Sequence, residues 1–334
     1  MSDSVYNRFF DKKTWELVKQ DNKNILEDFL LELKQAKKSD GTISQYRSDL
    51  KGFLCWVHDN LDNKYILDVT KRDFRRYSLY LTEDCNVSAA RHNRVFCSIR
   101  SMLTFVENDD DEYDYDMNVA KKVRGLSKDP VREIIFLTDE QIIKLKNELI
   151  KREEYQKATL LCLAYDSAGR RAELAGVKKD SFYYPSLNNT NKVIGKRRKQ
   201  FALLYFSNTK ECAKLWLEQR GNDDIDSLFV IGSKKNRRVA TKDVLYDWII
   251  DMRDILAEIE GKSIDFNPHS LRHSALQNMS DGSHAICKEL GITNGFPIEK
   301  LKLIANHSDV STTAGYLKDN SIDELAEMFN INIV

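Results

Sequence analysis

His269-Ser270-Leu271-Arg272-His273 opens, and His307-Ser308-Asp309-Val310-Ser311-Thr312-Thr313-Ala314-Gly315-Tyr316 closes, the stretch on which the reading of this chain turns. His269 and Arg272 stand three apart, so on a helix they share a face one turn apart. Both donate hydrogen bonds, and Arg272 offers a planar fork that fits two phosphate oxygens. In the second motif a tyrosine follows a histidine by nine positions. A tyrosine hydroxyl becomes a nucleophile when it and its target are held in place. Donors suited to a phosphate, with a tyrosine able to attack it, point to phosphoryl transfer onto protein.

Two upstream stretches extend the pattern: Ala168-Gly169-Arg170-Arg171-Ala172-Glu173-Leu174 and Ile194-Gly195-Lys196-Arg197-Arg198-Lys199. Together the four pieces resemble the tyrosine recombinase (phage integrase) family. Its signature is an Arg followed by two residues and Glu-Leu, a lysine-bearing hairpin, a His-x-x-Arg box, and a His with the nucleophilic Tyr nine positions on. The pieces occur in family order, and the resemblance covers most of the chain. It implies DNA breakage and rejoining through a covalent 3′-phosphotyrosine. Tyr316 would attack; Arg170 and Arg272 would hold the non-bridging oxygens and stabilise the transition state. His269 and His307 would bond the phosphate or take the tyrosine proton. Lys196 would protonate the departing 5′ oxygen, with Lys199 and Arg198 as rivals because hairpin register is not fixed by sequence. Of these assignments, spacing by itself supports only the His269–Arg272 pairing. Cationic side chains supply the positive charge, so neither metal nor cofactor is implied.

Size and composition fit this reading. The chain has 334 residues, enough for two domains, with 42% hydrophobic and 31% charged residues. No apolar run is long enough for a bilayer, and the N-terminus lacks an apolar signal core, so a cytoplasmic location and no membrane are expected. The six cysteines form no Cys-x-x-Cys pair and are expected as reduced thiols, most of them buried. Basic and acidic residues balance at 52 each, which does not favour DNA binding. Their distribution is compatible with a DNA-facing side: seven acidic residues crowd Glu107 to Asp116, while Lys192 to Lys199 carries five basic residues and no acid.

Apolar spacing predicts a mainly α chain with a small antiparallel β-sheet, in two domains: residues 1–118, a linker at 119–136, and 137–334. Asn24 to Lys38 reads as a helix with Leu26, Phe29, Leu30 and Leu33 on one stripe, broken at Ser39-Asp40-Gly41. Thr42 to Asn60 follows, with Ile43, Tyr46, Leu50, Phe53, Leu54 and Val57 inside. A third helix after Thr70 has Phe74, Tyr77, Leu79 and Leu81 as candidate core and Lys71, Arg72, Arg75 and Arg76 outside. Ser88 caps a fourth. These four helices look like the family's N-terminal core-binding domain, which implies double-stranded DNA as partner and Thr42, Gln45, Arg47, Arg91 and Arg94 as contacts. The bland alternative is a set of solvated helix faces. Thr138 to Gln141 is a capping box. Phe182 to Ser207 reads as a sheet running from Tyr183-Tyr184 through a turn at Asn188-Asn189 to a second turn at Lys196. Helices follow at Thr209–Gln219, Thr241–Glu260, Ser270–Met279, Ile298–Ala305 and after Asp319. Lys199, together with Lys235 and Arg237 of the loop Lys234 to Arg238, is expected at backbone phosphates.

The chain also departs from the family pattern. Arg272 and His307 lie 35 positions apart, longer than usual, with the extra length around Ser283 to Phe296. Ala305-Asn306-His307 stands for Leu-Gly-His, Arg171 occupies an apolar position, and the hairpin lacks a second glycine. A DNA-binding regulator on a recombinase scaffold that has lost catalysis is therefore the alternative, and a nicking-type topoisomerase is a third. Ser321 to Phe329 is amphipathic. Docked on a neighbouring protomer it would give a homo-tetramer on DNA by tail exchange; packed on its own domain it would not.

Overall fold

Capped amphipathic segments account for most of the architecture. The computed structural model describes residues 10–109, 111–127, 134–195 and 198–318. The chain divides into two compact units, Met1–Arg132 and Glu133–Val334.

The first unit holds α1 (Lys12–Leu17), α2 (Gln20–Gln35), α3 (Asp40–Asn60), α4 (Lys71–Leu79) and α5 (Ala89–Glu107). Leu26, Phe29, Leu30 and Leu33 of α2 are buried, as are Leu50, Phe53, Leu54 and Val57 of α3 and Val95, Ile99, Met102 and Leu103 of α5. Each such side chain contributes about 1.5–3 kcal/mol by leaving water. Ser39-Asp40-Gly41 starts α3 rather than breaking the chain, because the Ser39 hydroxyl accepts the Thr42 N–H at 3.2 Å and satisfies an orphan donor of the first turn. Leu79 is 53% exposed, not core: Phe74, Tyr77 and Leu81 keep the inward spacing and Leu79 falls off it. Residues 119–127, expected within the linker, pack on this unit. Ala120 and Val123 are buried, and the Arg100 guanidinium donates to the carbonyls of both.

In the second unit come α6 (Asp139–Lys151), α7 (Tyr155–Ser167), α8 (Arg171–Leu174), β1 (Asn189–Ile194), β2 (Gln200–Leu204), α9 (Ser207–Arg220), β3 (Val230–Ile231), β4 (Arg238–Val239) and α10 (Lys242–Glu260). Then follow α11 (Pro268–Ser280), α12 (Ala285–Glu289), α13 (Ile298–Ile304) and α14 (Val310–Ala314). Helix α7 is the axis: every residue from Ala158 to Ser167 is buried, and α6, α9 and α11 pack around it. Strands β1 and β2 pair antiparallel, with Val193 opposite Phe201 and Ile194 opposite Gln200. The expected strand at Tyr183-Tyr184 is absent. Both rings are exposed in a turn after a short 3-10 segment, and without a partner edge two aromatics do not make a strand. A second hairpin, β3–β4, carries the basic loop Lys234 to Arg238 and was not anticipated.

That hairpin is anchored by one carboxylate. Asp223 accepts from Arg220 Nη2 and Nε, both at 2.7 Å, from Arg237 Nη1 at 2.5 Å, and from Lys179 at 3.3 Å. Hydrogen bonds from Arg220 and the neighbouring cations hold the Asp223 carboxyl far below the usual carboxylate range. Arg237, expected at a backbone phosphate, is held by Asp223 and is only 12% exposed, while Lys235 is exposed. The Arg220 side chain is fully enclosed. Asp223→Ala would strand its charge and is expected to cost about 3 kcal/mol in urea unfolding, against a smaller loss for the apolar Arg220→Met.

Candidate active site

Helix α11 presents the first motif. Asn267 caps it, its carbonyl oxygen accepting the N–H groups of His269 at 2.8 Å and Ser270 at 3.2 Å, and Pro268 fills the first helical position. His269, on the opening turn, is exposed; Arg272, one turn on, is 2% exposed. The Arg272 guanidinium donates to the Ala168 carbonyl, to the Ala305 carbonyl at 2.8 Å and to His307 Nε2 at 2.6 Å. Its Nε has no partner among the described residues. Burial and the nearby Arg170 charge lower its pKa to about 10, so it stays cationic at neutral pH.

Arg170 approaches from the α7–α8 junction. Ala168 ends α7 in the left-handed region, φ 48°, which costs an alanine on the order of 1 kcal/mol and aims its carbonyl at Arg272. Gly169 follows because a Cβ there would lie 2.8 Å from Ser167 Oγ. Arg170 then caps α8. Its backbone N–H and Nη1 both reach the buried Glu173 carboxylate, at 2.7 and 3.0 Å. The hairpin turn starts against the same carboxylate: a Cβ on Gly195 would lie 3.2 Å from Glu173 Oε1 and 2.5 Å from the Phe201 ring. Lys196 lies outside the described residues; Arg198 and Lys199 are exposed on the far side of that turn.

The second motif closes over Arg272. Asn306 adopts φ 51°, the conformation a glycine takes readily, and asparagine tolerates it. This explains how Asn substitutes in the expected Gly-His step. His307 is buried, and since a guanidinium only donates, its Nε2 accepts and Nδ1–H donates to Thr313 Oγ1 at 2.9 Å. Burial, then Arg272 and Arg170, push its pKa down to about 4, so the ring is neutral. Crowding, then His273 and the three nearby arginines, also lower His269. Asp309 caps α14, and two residues past that helix the Tyr316 ring centre lies 5.0 Å from the Arg272 guanidinium carbon. His273 and His307 flank the ring at 4.4 and 5.2 Å. The site thus brings together Arg170, His269, Arg272, His307 and Tyr316. Sequence reasoning missed Thr313, Glu173 and the two carbonyls; backbone acceptors carry no sequence signal. Among the described residues no group of three or more His, Cys, Asp or Glu converges as a metal-ligand set.

The long insertion leaves this geometry intact. His284 caps α12 and stacks on Tyr165 at 4.2 Å, while Asp139 accepts the Ala285 N–H at 3.0 Å and the Lys288 ammonium at 2.8 Å. The extra residues fold back on α6 and α7 and return the chain at Phe296, whose N–H reaches the Met279 carbonyl at 2.8 Å. The insertion also places His284 Nε2 4.0 Å from the buried Asp166 carboxylate. Burial raises Asp166 from 3.8 to about 7 and lowers His284 from 6.5 to about 4. The Asp166 contribution to stability is full below pH 3.8 and lost as pH rises towards 7. The His284 contribution is full above pH 6.5 and lost as pH falls towards 4. Asp166→Asn, which leaves only the histidine slope, is expected to lose urea stability between pH 6.5 and 4.5 relative to the parent. His284→Phe is expected to gain it.

On the first unit, three of the five expected DNA contacts, Gln45, Arg91 and Arg94, surround a buried carboxylate. Asp49 accepts from Gln45 at 3.0 Å and Ser98 at 3.0 Å and pairs with Arg91 at 2.5 Å and Arg94 at 3.9 Å. Arg47 is exposed and Thr42 half-buried. No described helix is long and apolar enough to cross a membrane.

Known proteins share this sequence pattern and this fold. The phage integrase family signature matches residues 135–321. The SPbeta prophage-derived recombinase-like protein YomM of Bacillus subtilis is 28% identical over 90% of this chain and 87% of its own length. Among solved structures, a lambda integrase dimer bound to a COC′ core site aligns with a TM-score of 0.63 at 15% identity, covering 88% of this chain and 94% of that one. XerH recombinase bound to palindromic difH in a post-cleavage complex gives a TM-score of 0.63 at 14% identity, covering 86% and 80%. The chain belongs to the phage integrase family, the tyrosine-type site-specific recombinases that act on DNA.

Proposed function

We propose that this recombinase cuts and rejoins DNA with Tyr316 as nucleophile. The observation that carries the reading is the Tyr316 ring lying over the Arg272 guanidinium of its own chain, with His307 bonded to that guanidinium. A scissile phosphate entering the site takes the buried, unpartnered Nε of Arg272 and the outer donors of Arg170 on its non-bridging oxygens. The Tyr316 oxygen forms the new P–O bond, and the bond from phosphorus to the 5′ oxygen breaks. The tyrosine proton passes to neutral His269, and the leaving 5′ oxygen takes a proton from Lys196. The phosphotyrosine keeps the ester bond, so a 5′ hydroxyl attacking it restores the strand without a nucleotide cofactor.

Thr42, Gln45, Arg47, Arg91 and Arg94 of the first unit, with Lys199 and Lys235 of the second, bind the duplex. The segment after Tyr316 docks on a neighbouring copy to build a tetramer on paired sites; Ser321 to Phe329 lies outside the described residues. The test is a duplex nicked near the cleavage point, which loses its short 5′ fragment and traps the covalent adduct. Adduct formation is the expected result. Specific binding with no adduct would instead identify a DNA-binding regulator.

A further inference from the structure

Two side chains one turn apart on α11 grip the backbone around Tyr316. His273 Nδ1 lies 3.0 Å from the Tyr316 carbonyl oxygen, which can only accept, so the imidazole donates. Gln277 Oε1 accepts the Lys318 N–H at 2.8 Å. Gln277 is buried, and its amide nitrogen faces Asp281 at 3.5 Å, which turns the oxygen towards Lys318. The His273 ring also packs on the Tyr316 ring at 4.4 Å and is itself met edge-on by Phe136 at 5.8 Å. Thr313 of α14 is buried and bonded to His307, but past that helix Gly315 and Lys318 are exposed and Tyr316 is only half-buried. Arg272 sits on the same rigid helix, next to His273.

We propose that His273 and Gln277 form a clamp that sets the Tyr316 hydroxyl at attacking distance from a phosphate held by Arg272. They act as positioning residues through the backbone and touch no reacting atom. Because guanidinium and clamp share α11, the distance between tyrosine and phosphate is referred to one helix. A displacement of about 1 Å lowers a rate by roughly a hundredfold. The inference rests on Tyr316 being the nucleophile.

His273→Phe keeps the ring packing and removes the donor; Gln277→Met keeps the volume and removes the acceptor. Each is expected to slow single-turnover adduct formation on the nicked duplex by about ten- to a hundredfold. Binding of the same duplex should stay within about threefold, and amide exchange of residues 310–318 should quicken. His273→Asn, which restores a donor at the same depth, is expected to recover most of the rate; Gln277→Glu restores the acceptor but sets a second carboxylate against Asp281 and is expected to recover less. Unchanged rates in both His273→Phe and Gln277→Met overturn the clamp, as does a parallel loss of binding and cleavage that neither conservative variant recovers. If Tyr316→Phe still forms the adduct, the nucleophile is another residue and the clamp falls with it. If Tyr316→Phe forms none while the clamp variants cleave normally, the clamp alone is wrong.

Discussion

Tyr316→Phe is expected to lose all detectable covalent adduct while binding the nicked duplex as the parent protein does. The substitution removes one oxygen atom. The phenyl ring keeps the packing against Arg272, His273 and His307 at 5.0, 4.4 and 5.2 Å, so neither the fold nor the phosphate socket changes. What disappears is the hydroxyl oxygen proposed to form the bond. Removing a nucleophile from a preorganised site lowers turnover by more than about 10⁴-fold, and here no covalent product can form at all. Denaturing electrophoresis of the trapped complex checks the adduct, and filter binding or mobility shift checks the affinity. An undiminished adduct in the Phe variant would falsify the assignment.

Arg272→Lys should reduce the cleavage rate by about 10²- to 10³-fold, with a much smaller loss of affinity. A lysine keeps the charge but loses the fork. The guanidinium uses its outer nitrogens on two carbonyls and on His307, leaving Nε for an incoming oxygen. A single ammonium cannot serve the carbonyls of Ala168 and Ala305 and a phosphate together. Transition-state charge is therefore stabilised less than the ground state is bound, which is the signature of a preorganised oxyanion-type donor. Single-turnover rates at saturating protein separate the two effects. Equal losses in rate and affinity would assign Arg272 to binding alone.

Much of both units was legible from spacing and caps. The stripe Leu26, Phe29, Leu30 and Leu33 and the capping box Thr138–Gln141 are local features, and their outcome depends little on the rest of the chain. Ser39 shows the limit: read as a breaker by composition, it is a cap by hydrogen bonding. Tyr183 and Tyr184 have strand propensity, but a strand needs a partner edge, and pairing is not a local property. The insertion looked like a threat to the site because only its length was visible. Its docking on Asp139 and Tyr165 is a tertiary fact. At the site, the residue types were readable, and so was the His269–Arg272 spacing. Thr313 and the clamp pair were not, since each acts through a partner fixed only by folding.

Arg272 reaches across 104 positions to the Ala168 carbonyl and across 33 to the Ala305 carbonyl. During synthesis, then, the socket is complete only once the chain beyond His307 has left the ribosome and closed on the earlier helices. A copy cut short before that point carries the arginine and the Ala168 carbonyl but lacks the Ala305 and His307 partners that complete its setting.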